Sequence, residues 1–136
     1  MAHGDLAIVE RWLAAVNEAN RDAVLALTAS DLEIVGPRGV GRGKALLADW
    51  LARAGFAAEA RRWFCGEGGR VVVEQDATWS APDGGAGHAG HVGHARVASS
   101  FVVRDRRIAR FERFDSLAGA LAGAGLAERD EVSARA

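Results

Sequence analysis

Arg70-Val71-Val72-Val73-Glu74-Gln75-Asp76-Ala77-Thr78-Trp79-Ser80 decides the fold class. Its valines, and the alternating polarity that follows them, suit a pleated, half-buried strand. Upstream, across the turn Gly66-Glu67-Gly68-Gly69, a second β segment runs from about Phe56 to Cys65, and together the two predict a hairpin. Downstream lies the flexible connection Pro82-Asp83-Gly84-Gly85-Ala86-Gly87. Beyond it, Val92 to Arg104 and Arg107 to Asp115 predict another hairpin, turning at Asp105-Arg106.

Before Phe56 the periodicity is helical. Leu6, Val9, Trp12, Leu13 and Val16 form one apolar stripe between Asp5 and Asn17, with Asp5 placed to cap the first turn. Val24, Leu25 and Leu27 mark a second, shorter helix after the cap residue Asn20, with Asp22 in its first turn. Leu32-Glu33-Ile34-Val35 reads as a brief strand, and Gly36-Pro37-Arg38-Gly39-Val40-Gly41-Arg42-Gly43 as an irregular loop. A third helix is predicted from about Lys44 to Ala54, where Leu46/Trp50 and Leu47/Leu51 stand four apart. Near the end, Ser116 is placed to cap a short helix through Leu121, and the charged, aperiodic tail is expected to fray. Helices first and hairpins afterwards point to an α+β domain with an antiparallel sheet, not to a βαβ fold.

A chain of 136 residues suits a single domain over 1–136. The formal net charge of -1 supplies no field to draw in nucleic acid or anionic lipid, so a small neutral partner is expected. No uncharged stretch approaches the ~20 apolar residues of a membrane span, and Met1-Ala2-His3-Gly4-Asp5 lacks the basic start of a secretory leader. A cytoplasmic location is therefore expected. Cys65 is the single cysteine, which excludes an internal disulfide and any cysteine-pair metal site, and it reads as a small buried hydrophobe.

The order helix, helix, short strand, Gly/Pro loop, helix and four long strands resembles the nuclear transport factor 2-like superfamily, in its SnoaL-like branch. The residues that carry the likeness are Ile8 to Asn17, the Val35-Gly36-Pro37 to Gly41-Arg42-Gly43 loop, Val71-Val72-Val73-Glu74 and the closing Arg113-Phe114-Asp115. It covers about Asp5 to Leu121, which makes 5–121 the core and 122–136 a partly disordered tail. The resemblance implies a cone-shaped, cystatin-like fold, in which three helices wrap a curved antiparallel sheet around a deep pocket. It also implies a homodimer formed through the outer face of the sheet. Enzymes and non-catalytic binders share this fold, so activity has to be argued from the site. By the same resemblance, the inward residues are Val71, Val73, Gln75, Ala77 and Trp79, then Val97, Ser99, Phe101 and Val103, then Ala109, Phe111, Arg113 and Asp115. Each set keeps a period of two.

The ketosteroid isomerase type within this superfamily needs a carboxylate base and a two-donor oxyanion hole. Here its tyrosine position holds Trp12, its base position Gly36 and its acid-donor position Ser99, and the chain has no tyrosine, so that reaction is rejected. The remaining carboxylate of interest is Asp115, on the same strand face as Arg113, as an acid or base within a cofactor-free isomerase, cyclase or hydrolase. The competing reading makes the Arg113–Asp115 pair structural, or Asp115 a helix cap, in a non-catalytic ligand-binding or dimerisation module. Trp12, Gln75, Trp79, Ser99, Phe101 and Phe111 are the expected ligand-binding residues for a small apolar or aromatic metabolite, with Trp12 or Gln75 as hydrogen-bond donor. Trp50 reads as packing, and Trp63 as able to face either way. His88, His91 and His94, three apart among glycines, alternate faces and do not converge on a metal. No metal or cofactor is expected. The glycine-rich 36–43 stretch lacks the Lys-Ser/Thr ending of a phosphate loop, and the arginines at 104, 106, 107 and 110 read as a solvated hairpin, not an RNA surface.

Overall fold

Asp5 lies in the first turn of helix α1 (Ala2–Asn17), where a carboxylate faces the positive end of the helix dipole. Leu6, Val9, Trp12, Leu13 and Val16 are all buried, so the predicted stripe is the face laid on the core. At the far end the Asn17 side chain donates to the Ala58 carbonyl and accepts from the Ala58 N–H, both at 2.8 Å. Asn20 caps α2 (Arg21–Ala26), its Oδ1 accepting from the Ala23 N–H at 3.2 Å. Helix α3 (Lys44–Ala54) has the predicted bounds and buries Leu47. The structure, a computed structural model, describes residues 2–36, 39–54, 57–79 and 93–132. The Pro82–Gly87 connection, His88, His91 and residues 133–136 lie outside these, and so do the side chains of Trp50, Trp79 and His94.

The strands are β1 (Thr28–Gly36), β2 (Gly39–Arg42), β3 (Ala57–Cys65), β4 (Arg70–Trp79), β5 (Gly93–Arg104), β6 (Arg107–Phe114) and β7 (Glu131–Val132). They form one seven-stranded sheet in the order β2-β1-β6-β5-β4-β3-β7. All neighbours run antiparallel except β1 and β6, which are parallel. This is the expected α+β architecture, with four long strands arising from the two predicted hairpins.

Several details differ from the sequence reading. The first strand starts four residues early, at Thr28, and the glycine stretch thought irregular folds back as β2. Gly39, at φ 121°, opens β2 in a conformation that a side chain would resist, so the glycine that argues against a strand is what permits this hairpin. In β6 a register shift leaves Val102 opposite Arg110 and Val103 opposite Ile108. Ala109 is therefore the extra residue of a bulge, and Ile108 takes the place against Val103 that strict alternation gave to Ala109. Regular structure also continues past Leu121, where the predicted last helix ends. Helix α4 (Leu117–Ala124) is capped by Ser116, whose Oγ accepts from the Gly119 N–H at 3.1 Å, and stops at Gly125 with φ 71°. A 3₁₀ turn (Glu128–Asp130) then leads into β7, where Arg62 holds Glu128 and Glu131 at 2.5 and 2.9 Å.

Each sheet face has its own core. On the inner face Trp63, Cys65, Val71, Val73, Phe101, Val103, Ile108 and Phe111 join α1, Val24 of α2 and Leu47 of α3 in one cluster. On the outer face α4 packs Ala120, Leu121 and Ala124 over Phe64, Val72 and Ala98.

Candidate functional site

Side-chain size divides the inner face into two halves. In one half the rings of Trp12, Phe101 and Phe111 meet with centroids 5.3–5.5 Å apart. Such edge-to-face and tilted contacts are favourable packing beyond area burial. The Trp12 indole N–H donates to Thr28 Oγ1 at 3.1 Å, and that hydroxyl donates to the Val24 carbonyl at 2.7 Å. Trp12, Phe101 and Phe111, all expected to touch ligand, thus form a filled aromatic centre, and the Trp12 donor is already engaged.

Towards the start of β3 and along β4 up to Ala77 the described inner side chains become small, and Trp79, the next inward position, has a side chain outside the described residues. Ala58, Ala77 and Ala95 stand in register across three strands, and Ala60, Gln75 and Val97 occupy the next inward row. Gln75 is completely buried and Ser99 nearly so. The Ser99 hydroxyl donates to Gln75 Oε1 at 2.6 Å, while Gln75 Nε2 has no hydrogen-bond partner among the described residues. A buried amide without a partner costs roughly 1–3 kcal/mol, so this group stands out among the buried side chains of the described residues.

Ser99 is opposite Arg113 on β6, and the row Gln75, Ser99, Arg113 runs from the closed interior to an exposed guanidinium. Asp115 is exposed and lies one residue past β6, just before the Ser116 cap. The structure therefore brings Gln75, Ser99 and Arg113 together on neighbouring strands of the inner face, through the Ser99–Gln75 hydrogen bond and the Ser99–Arg113 pairing. Sequence reasoning missed Ala58 and Ala60, whose spacing of two within a predicted strand was the available signal, and Thr28, which local sequence does not mark.

A hollow of about 630 Å³ opens near the β3–β4 turn, with Asp5, Cys65, Glu67, Arg70, Arg129 and Asp130 on its walls. Arg70 is committed there, donating to the carbonyls of Glu67 and Ala124. Burial first, and the Asp5 carboxylate second, push the Cys65 thiol up to about 11. At neutral pH it is a protonated, poorly nucleophilic core residue. Among the described residues no three His, Cys, Asp or Glu side chains gather as a metal site requires, and no helix is long and apolar enough to cross a membrane.

The profile of the SnoaL-like domain family matches residues 9–111. The chain belongs to the SnoaL-like domain family. Solved structures give this SnoaL-like chain the same fold at low identity. A candidate polyketide cyclase from Xanthomonas campestris pv. campestris is 22% identical with a TM-score of 0.69, over 89% of this chain and 96% of that one. An LEH-like epoxide hydrolase from M. tuberculosis is 23% identical with a TM-score of 0.67, over 89% of each chain. TerC, co-crystallised with polyporic acid, is 18% identical with a TM-score of 0.68, over 89% of this chain and 97% of its own. A comparison with curated proteins finds no match.

Proposed function

We propose that this SnoaL-like chain binds a small apolar or aromatic metabolite against the small-residue half of its inner sheet face. The observation that carries the reading is the contrast between the two halves: bulky rings fill one, whereas Ala58, Ala60, Ala77 and Val97 line the other around a buried polar pair. Ligand sites combine such apolar walls with a few placed polar groups. Co-crystallisation of the fold neighbour TerC with polyporic acid agrees with a ligand of this kind.

As an enzyme, the protein would be a cofactor-free isomerase, cyclase or hydrolase, with Asp115 moving the proton and Arg113 beside it, in keeping with the names of the cyclase and epoxide hydrolase neighbours. The exposure of Asp115 favours the second reading, a binder without turnover. Titration calorimetry with naphthalene-sized aromatics tests the pocket, with Ala60→Phe expected to block binding while the circular dichroism spectrum is kept. Binding of none of them, or binding indifferent to Ala60→Phe, overturns the pocket. For any member of the set that is turned over, Asp115→Asn should slow the reaction by about 100- to 10,000-fold. An unchanged rate overturns the role of Asp115, and turnover of none of them leaves the binder.

A further inference from the structure

We propose that the ligand is anchored by a carbonyl-type oxygen, that of a ketone, quinone or enolate, accepting a hydrogen bond from the side-chain amide of Gln75. This rests on the pocket reading above and names the chemistry that the pocket recognises.

The neutral side-chain donors expected at the site can be followed one by one. Trp12 gives its N–H to Thr28, and Ser99 gives its O–H to Gln75 Oε1. Gln75 Nε2 keeps both hydrogens unused among the described residues, at a side chain with no exposed surface. With Oε1 accepting from Ser99, the NH₂ group lies on the other side of the amide. The Ser99 hydrogen bond also polarises the amide, which strengthens its N–H as a donor. Next to Gln75 in register stand Ala60 on one strand and Val97 on the other, with Ala77 one inward row further along β4. Among these register neighbours no bulky side chain stands against the amide edge. A donor of this kind selects an acceptor: an ammonium or a guanidinium offers none, and a purely hydrocarbon ligand leaves the amide orphaned.

A matched pair of probes tests this in the unmodified protein: 2-acetylnaphthalene, which carries the carbonyl, and 2-ethylnaphthalene, which has nearly the same shape without it. The acetyl compound should bind about tenfold tighter or more. It should also shift the ¹⁵N–¹H signals of the Gln75 side-chain amide, which the ethyl compound leaves in place. The double variant Gln75→Leu with Ser99→Ala removes the amide together with its hydroxyl partner, so no polar group is stranded. It should fold and bind the two probes equally well. Equal binding by the unmodified protein, or a preference that survives the double substitution, overturns the carbonyl anchor while leaving the pocket intact. Tighter binding of 2-naphthoate that ignores the Gln75 change overturns it in favour of Arg113 as the anchor. Binding of no probe removes the pocket and the anchor together.

Discussion

Thr28 shows how much one hydroxyl can organise. It is fully buried at the start of β1, accepts a hydrogen bond from the indole N–H of Trp12 and donates one from its own O–H to the Val24 carbonyl. Helix α1, helix α2 and the sheet meet at that oxygen. Thr28→Val keeps the shape but strands the indole N–H, and should cost about 1–3 kcal/mol in urea-induced unfolding followed by tryptophan fluorescence. A change within experimental error would show that the hydroxyl is dispensable. The inward direction of Trp12 was legible from a helical stripe, since periodicity is a local property. Its partner was not, because Thr28 lies 16 residues away and only the folded chain brings them together. The same limit applies at Gln75: alternation places it on the inner face, but its lack of a partner depends on Ser99 from another strand.

At the scale of elements, helical spacing, turn chemistry and alternation recovered α3, the β3–β4 and β5–β6 hairpins and the Ser116 cap, because each follows from residues close in sequence. The β1–β2 hairpin and the β6 bulge escaped, since glycine permits both a loop and a tight turn, and a period of two carries no information about a register shift. The β5–β6 turn invites a direct test. Asp105 and Arg106 have φ of 53° and 64°, the left-handed pair that a two-residue turn between twisted strands requires. Asp tolerates that conformation better than Arg does. Arg106→Gly should therefore raise the stability by up to about 1 kcal/mol, read as a higher urea midpoint at unchanged slope. A lowered midpoint would mean that Arg106 makes a compensating contact.

For the molecule as a whole, the feature least visible in the sequence is the return of the chain end to β3. Charge without periodicity suggested a frayed tail, yet the charges are what dock it: Arg62 forms hydrogen bonds with Glu128 and Glu131, and Trp63 pairs with Val132. The hydrogen bond from Arg62 holds the Glu131 carboxyl below its usual range. That contribution to docking is in full force above the ordinary glutamate value of about 4.3 and is lost as pH falls through the lower, folded value. Amide exchange at Val132, corrected for intrinsic rates, should therefore speed up below about pH 4, and Arg62→Ala should produce the same loosening at neutral pH. Protection that ignores both changes would assign the docking to apolar packing alone.

The clamp between Asn17 and Ala58 has a consequence for how copies of this protein meet. A strand at the border of a sheet offers unpaired backbone groups to which any extended chain can add, and that is the usual route to fibrous aggregates. Along the outer side of β3, Asn17 occupies both the N–H and the carbonyl of Ala58, β7 covers Trp63 and Phe64, and Glu59, Arg61 and Arg62 set charge between them. At the opposite border the sheet ends in the four-residue β2. Among the described residues neither border presents a long, flat template, so growth by strand addition is discouraged at both ends.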